Sequence, residues 1–429
     1  MSGTGTPDRA VIESNQIEQL RALLHKLVPS NRFYTNRLAN AHGIAAISGL
    51  DEFRAAVPFT TKAEIVADHR ANPPYGSNLT YPLERYTRFN QTSATTGPPL
   101  RWLDTTESWQ RLLDCWREVY RAAGIGPGER LYFAFSFGPF LGFWTAFEAA
   151  TQLGCLCVPG GGLSSESRLQ AIRDNAITVL CCTPTYAIHL AEVAAQQQID
   201  LTGTTVKTVI VAGEPGGSIP ATRARIEGLW PGARLFDHHG MTEIGPVSFE
   251  CPQRRGVLHV IESAYYPEII DPQTSQPVEP GASGELVLTN LGRLGSPLLR
   301  YRTGDIVRAA PSSPCACGRY DLTLEGGILG RADDMVIVRG VNVYPGAVEE
   351  VVRGFPGIAE YRAEIRSDRS LTEISIQIEP APHCADEREL ALRLETALRT
   401  ALALRIPVTA VPTGTLPRFE MKARRWVKV

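Results

Sequence analysis

Residues 131–148 read LYFAFSFGPFLGFWTAFE, and the class of fold turns on whether this stretch spans a membrane or is a buried strand, loop and helix. From Leu131 to Phe147 no side chain is charged. A spanning helix needs about 20 consecutive apolar residues. Gly138, Pro139 and Gly142 interrupt this run, and Glu148 ends it. A buried strand, a tight loop and a buried helix explain it better. Three more apolar runs follow: CLCVPG (155–160), ITVLCCT (177–183) and VKTVIVAG (206–213). With LYFAFSF (131–137) they read as four strands, each buried on both faces. WQRLLDCWREVYRAAG (109–124) and SSESRLQAIRDN (164–175) carry helical periodicity among them. This alternation predicts an α/β fold with a parallel sheet.

Outward from this core the pattern changes. Residues 10–70 mix polar and apolar positions in helical fashion, with Asp51 or Thr60 to Thr61 as candidate N-caps. Between 246 and 330, PEIIDP, GELVLTNL and RYRTGDIVR carry turn signals and read as short antiparallel strands, expected to form a small distorted β-barrel region. After GILGRADDMVIVRG a compact α+β unit begins, with helices at YPGAVEEVVRGF and DERELALRLETALRTALAL and strands at AEYRAEIRSD, LTEISIQIEP and PVTAV. The expected domains are therefore 1–332 and 333–429, the second small and mobile, with the boundary near Asp333. The polar tail 416–424 has no apolar stripe and little packing reason to be ordered.

The chain has 429 residues, more than one core usually supports. Lys plus Arg number 43 against 45 acidic residues, so the general basic excess that drives binding to phosphate backbones is missing. Neither nucleic acid nor membrane is an expected partner. Five cations are Lys (26, 62, 207, 422 and 428) and the rest Arg, so a lysine where an amine is needed is informative. The N-terminus lacks a charged segment leading into an apolar one, and the nine cysteines are scattered, so reduced thiols and a cytoplasmic location are expected. Cys115, Cys155, Cys157, Cys181 and Cys182 sit in apolar runs and read as core.

Three segments carry chemistry. Thr92 to Pro99, TSATTGPP, is a hydroxyl-rich loop of the kind whose OH and N–H groups wrap phosphate, although such clusters are also ordinary loops. His238 to Pro246, HHGMTEIGP, sets a hydroxyl beside a carboxylate after an apolar run; the pair suits Mg2+ bridged to phosphate, and a plain turn is the alternative. In Tyr301-Arg302-Thr303-Gly304-Asp305 a fixed carboxylate suits two ribose hydroxyls, with a Gly-Asp hairpin turn as the alternative.

Together and in this order, PFTTK (58–62), the Thr-rich loop, GEP (213–215), GMTEIGP (240–246), EIIDP (268–272), YRTGD (301–305), GRADDMVIVRGVNVYP (330–345) and a lysine near the C-terminus resemble the acyl-adenylate-forming superfamily, most closely its phenylacetate–CoA ligase branch. The resemblance covers nearly the whole chain. It implies an acid–thiol ligase of two steps: ATP and a carboxylic acid give an acyl-adenylate and pyrophosphate, then the CoA thiol displaces AMP. It implies that Ser93, Thr95, Thr96 and Gly97 cradle the β- and γ-phosphates, and that Gly213, Glu214 and Pro215 lie along the adenine with His238 nearby. It further implies that Thr242 touches the α-phosphate, Glu243 holds Mg2+, Asp305 binds the ribose, Arg331 contacts ribose or phosphate, Asp333 is a hinge and Lys422 is the mobile catalytic lysine. Two departures stand out. Ala94 and Pro98 replace residues that are usually Gly and often Lys. His239 replaces a usual Tyr beside the acyl pocket, where it either bonds a polar substituent of the substrate or merely fills the space of a ring.

Cys251, His259, Cys315 and Cys317 form a separate set: three thiolates and an imidazole make a closed, structural tetrahedral zinc site, and some members of this branch resemble it there. The plain alternative is unligated loop thiols. The expected acyl pocket is lined by Tyr132, Phe137, Phe140, Ala212, Gly213, His238, His239, Gly240 and Pro246. Its aromatic walls suit a small aryl acid such as a benzoate, an aminobenzoate or a phenylacetate. The expected partners are thus an aryl acid, ATP and coenzyme A. Transfer to a carrier protein, amine or hydroxyl, and a non-catalytic homologue that only binds, are the competing readings. Members of this branch are often dimers, and exposed N-terminal helices would allow a homodimer.

Overall fold

The computed structural model describes residues 6–38, 47–92, 99–310, 314–338, 341–368, 371–382, 384, 386–419 and 423–429. Its contacts divide the chain into two compact units, Met1–Gly161 with His238–Gly327 and Gly162–Asp237 with Ile328–Val429. The class is mixed α/β, with parallel strands and a C-terminal α+β region.

In the first unit, the helix Arg9–Ser30 buries Ile12, Gln16, Leu20, Leu23, Leu24 and Leu27 along one stripe. Burying each leucine contributes about 1.5–3 kcal/mol. That stripe is already spent within the unit, so it is not what a second copy would pair with. The helix Thr106–Ala122 buries Trp109, Leu112, Leu113, Trp116, Val119 and Tyr120 at helical spacing against the helix Leu141–Gln152. The opening stretch resolves as expected into the strand Arg130–Phe133, a loop and that second helix. Arg130–Phe133 pairs in parallel with Leu156–Pro159. The latter is not buried on both faces as expected: Leu156 is 57% exposed, because an apolar run fixes neither edge position nor cover.

Residues 246–330 form antiparallel sheets. Tyr265–Ile270, Ser283–Asn290 and Tyr301–Arg308 pair in chain order, as do Ser248–Glu250, Val257–Val260 and Thr323–Glu325. Among the described residues neither set closes on itself, so the expected barrel is not confirmed.

In the second unit, Val179–Cys182, Thr208–Val211 and Arg234–Asp237 run parallel, neighbour beside neighbour. The helix Pro184–Gln196 starts with proline, whose missing N–H costs nothing at that position, and Thr183 caps it by accepting from Tyr186 N. The C-terminal region orders its strands Val408–Ala410, Leu371–Pro380, Ile358–Asp368 and Trp426–Lys428. The helices Pro345–Arg353 and Glu387–Leu402 pack on it through Val348, Val352, Leu394 and Leu398. The last strand is a correction to the sequence reading: Trp426–Lys428 adds in parallel to Ile358–Asp368. Leu416 is buried, Arg418 grips Glu379 and Arg425 grips Glu360, so among the described residues of the tail, long-range ion pairs hold segments that have no local stripe. Among the described residues no helix is long and apolar enough to cross a membrane.

Candidate active site

Chain continuity carries the strand Arg234–Asp237 directly into His238 and the HHGMTE turn. His238 is buried, with its ring 4.3 Å from that of Trp116. Its Nδ1 lies 2.6 Å from the Ser248 carbonyl. A carbonyl only accepts, so Nδ1 carries the proton. Burial pushes this imidazole down to about 3, and the neighbouring His239 lowers it further against the opposing Ser248 bond, so the ring is neutral. Gly240–Met241 then pairs with Gly245–Pro246 in a short antiparallel ribbon. Gly245 has φ +118, and a Cβ there would meet Leu112 at 2.5 Å and the Tyr265 hydroxyl at 2.9 Å, so only glycine closes the turn.

Thr242 and Glu243 sit at the tip of this ribbon, Glu243 almost buried. Their carbonyls are held from behind. Arg293 Nη1 donates to Thr242 O and to Glu243 O, both at 2.9 Å. Its Nε and Nη2 donate to the two carboxylate oxygens of Asp104, each at 2.7 Å. Sequence reading missed both residues. In a chain that writes nearly all its cations as Arg, nothing local distinguishes Arg293.

The YRTGD segment is not the hairpin turn considered above. It lies inside the strand Tyr301–Arg308, and Gly304 (φ +77) sits where the pairing slips past Glu285–Val287, a bulge. Asp305 is thereby presented at the bulge and is buried. His239 Nε2 meets its Oδ2 at 3.0 Å. His239 Nδ1 is buried and has no partner among the described residues.

Of the expected acyl-pocket residues, Tyr132 is fully buried and Phe137 and Phe140 half-buried. Phe137 stands edge-on to Trp144 (5.1 Å) and Phe147 (5.6 Å), with Phe133 at 6.4 Å. Phe137 also holds φ +47, a conformation that a bulky residue adopts only under constraint from its surroundings.

Glu214, in the second unit, has both carboxylate oxygens occupied by backbone donors: Thr185 N in the first turn of Pro184–Gln196, and Ala423 N, each at 2.8 Å. An acidic group at a helix N-terminus answers its unsatisfied N–H groups and its dipole. Gly213 (φ +96) and Ala212 are half-buried and Pro215 is exposed. Arg331 Nε donates to Asp333 at 2.9 Å. Ser93, Thr95, Thr96, Gly97 and Lys422 lie outside the described residues, although Ala423 is the immediate neighbour of Lys422.

The four candidate metal ligands, spread over 67 positions, come together. One ligand atom from each of Cys251, His259, Cys315 and Cys317 lies within 4.8 Å of all the others. Cys251 and Cys315 Sγ atoms are 3.7 Å apart, and Cys317 Sγ is 3.4 Å from His259 Nε2. A tetrahedron with Zn–S near 2.3 Å and Zn–N near 2.05 Å has S–S edges of about 3.8 Å and S–N edges of about 3.5 Å. The two distances match those edges, and 3.7 Å is far beyond a disulfide bond. Burial pushes the His259 imidazole down to about 4, keeping it in the neutral form that ligates. The donor set fits zinc.

Two family profiles match the chain: AMP-binding enzyme over residues 89–292, and AMP-binding enzyme C-terminal domain over 340–428. A phenylacetate-coenzyme A ligase of Thermus thermophilus is 32% identical over 95% of this chain and 94% of its own length. The chain belongs to the AMP-binding enzyme family. A second relative of this AMP-binding enzyme, the phenylacetate-coenzyme A ligase of Pseudomonas putida, is also 32% identical, over 96% of this chain and 93% of its own. Among solved structures, 2-hydroxyisobutyryl-CoA ligase in its postadenylation state with R3-HIB-AMP matches with a TM-score of 0.93 at 26% identity, covering 99% of this AMP-binding enzyme and 91% of that chain.

Proposed function

We propose that this AMP-binding enzyme is an AMP-forming ligase that activates a small aromatic carboxylic acid with ATP and transfers the acyl group to CoA. The coarse reaction, acid–CoA ligation through an acyl-adenylate, rests on relatives named phenylacetate-coenzyme A ligase that align across nearly the full length. The observation that supports the site assignment is the turn after His239, where His239 bonds Asp305 and Arg293 holds the carbonyls of Thr242 and Glu243.

In the first half-reaction a carboxylate oxygen of the acid attacks the α-phosphorus, and the bond to the β-phosphate oxygen breaks, releasing pyrophosphate. Thr242 orients the α-phosphate and Asp305 holds the ribose. Ser93, Thr95, Thr96 and Gly97 take the outer phosphates, Glu214, Pro215 and Gly213 flank the adenine, and Arg331 contacts ribose or phosphate. Mg2+ held by Glu243 would neutralise phosphate charge; a lone carboxylate at a turn suits an ion that keeps phosphate and water ligands. Lys422 places a compact ammonium between acid and α-phosphate. In the second half-reaction the CoA sulfur attacks the acyl carbon and AMP leaves. The segment after Asp333 moves between the two steps. Zinc at Cys251, His259, Cys315 and Cys317 is structural, since four protein ligands leave no open position.

The aryl preference is supported by the aromatic cluster around Phe137 and the neutral His238 beside Trp116. An ATP–pyrophosphate exchange screen tests it. The expected best substrates are benzoate, aminobenzoate, hydroxybenzoate or phenylacetate. A short aliphatic hydroxy acid exchanging faster than every aryl acid would overturn the preference, and no exchange with any acid would favour a non-catalytic homologue.

A further inference from the structure

We propose that Arg293, working through its pair with Asp104, is a positioning residue for adenylation, holding the Thr242–Glu243 turn against the strand Arg101–Thr105. The inference rests on the reading of Thr242 and Glu243 as phosphate- and magnesium-handling groups. Three observations carry it.

First, the pair is among the most deeply buried charges of the described residues: the Arg293 side chain is 1% exposed and Asp104 0%. Desolvating two such charges is costly, and an apolar pair of similar volume would often stabilise a fold equally well. A pair retained for stability alone is therefore a weak explanation. Secondly, the guanidinium spends its remaining donors on the turn. Nη1 is shared between the consecutive carbonyls of Thr242 and Glu243, while Nε and Nη2 make a two-pronged contact with Asp104. A planar fork fixed at one edge by a carboxylate dictates where the other edge points, and hence where those two carbonyls, and the side chains between them, are held. Thirdly, Asp104 belongs to the strand Arg101–Thr105, which begins where the hydroxyl-rich loop ends. Residues 93–98 of that loop are bracketed by Thr92 and Leu100, which exchange N–H···O bonds: Thr92 N with Leu100 O at 2.9 Å, and Leu100 N with Thr92 Oγ1 at 3.0 Å. Arg293 thus ties the strand Arg101–Thr105, which follows the hydroxyl-rich segment in the chain, to the turn that carries Glu243. The Trp102 ring, 5.7 Å from the guanidinium carbon, helps to hold the fork in place.

Partners that orient a metal-holding or catalytic group typically cost ten- to a hundredfold when removed. The decisive variant is the volume-conserving double substitution Arg293→Met with Asp104→Leu, which leaves no unpaired buried charge. Its expected phenotype is a thermal midpoint close to that of the wild type, with ATP–pyrophosphate exchange lowered ten- to a hundredfold. The Mg2+ concentration needed for half-maximal ATP binding, read by calorimetry without any acid present, should rise. Conversion of a preformed acyl-adenylate and CoA to thioester should stay near the wild-type rate. Arg293→Lys, which keeps the charge but loses the fork, should show the same pattern more mildly, and it decides the question if the double variant does not fold. Wild-type exchange and wild-type Mg2+ dependence in a folded variant would make the pair purely structural. Equal loss in both half-reactions would also overturn the proposal. Glu243→Gln, measured in parallel, separates the two layers. If it retains exchange, the reading of the turn fails; if it loses exchange while the Arg293 variants do not, only the present proposal fails.

Discussion

His239 Nε2 and Asp305 Oδ2 meet at 3.0 Å, joining residues 66 positions apart. The resemblance implied His239 beside the acyl pocket and Asp305 at the ribose, and the hydrogen bond links the two. A hydrogen bond to a charged group is worth about 1.5–3 kcal/mol, or roughly ten- to a hundredfold in an equilibrium constant. His239→Phe keeps the ring volume and removes the bond. It is expected to raise the KM for ATP about tenfold and to leave the KM for the acid within about twofold. The reverse split in steady-state kinetics would return His239 to the role of a substrate contact.

His238 makes the stability of the fold pH-dependent. Its folded value of about 3 lies below the ordinary 6.5, so the unfolded chain binds more protons between those values. The stabilisation is therefore complete above pH 6.5 and is lost as pH falls towards 3. A full proton corresponds to about 1.4 kcal/mol per pH unit. Denaturant unfolding of the wild type between pH 6.5 and 5 should weaken more steeply than that of His238→Asn, by about 1 kcal/mol per unit. Parallel slopes would show that His238 is not the titrating group.

Zinc should copurify at one ion per chain, with the thiols of Cys251, Cys315 and Cys317 protected from thiol reagents, and the metal from chelators, until the protein unfolds. Cys251→Ser removes one ligand from a buried set and is expected to lose the metal and to lower the thermal midpoint by at least about 5 °C. Native protein without zinc, with Cys251, Cys315 and Cys317 freely reactive, would exclude the site.

How much of this was legible in the sequence depends on how local the signal was. The strand, loop and helix of residues 131–148 follow from the absence of charge and the placing of Gly138, Pro139 and Gly142. The Cys/His set was visible because two thiols in a turn-rich segment have poor packing reasons to be there. The strand Trp426–Lys428 was not visible, since its order comes from Ile358–Asp368 and from Arg425 on Glu360, both distant in sequence. Arg293 and Asp104 escaped for the same reason, as they are recognisable only once a fold has buried them together. The bulge at Gly304 looked like a turn because glycine next to aspartate marks both, and only strand pairing separates them.

Lys422→Ala tests the division of labour between the half-reactions. Acyl-adenylate formation should fall by on the order of a thousandfold if, as proposed, the ammonium acts only as charge develops on the attacked phosphate. Thioester formation from a synthetic acyl-adenylate and CoA should proceed at close to the wild-type rate. Comparable losses in both would place Lys422 outside the first step.

The most direct test of the account is a single-turnover experiment with enzyme in excess over the best aryl acid, ATP and Mg2+, quenched before and after adding CoA. The account predicts an enzyme-bound aryl-adenylate without CoA, converted on CoA addition to aryl-CoA and an equal amount of AMP. An aryl-adenylate that persists in the presence of CoA, or none formed with any aryl acid, would contradict it.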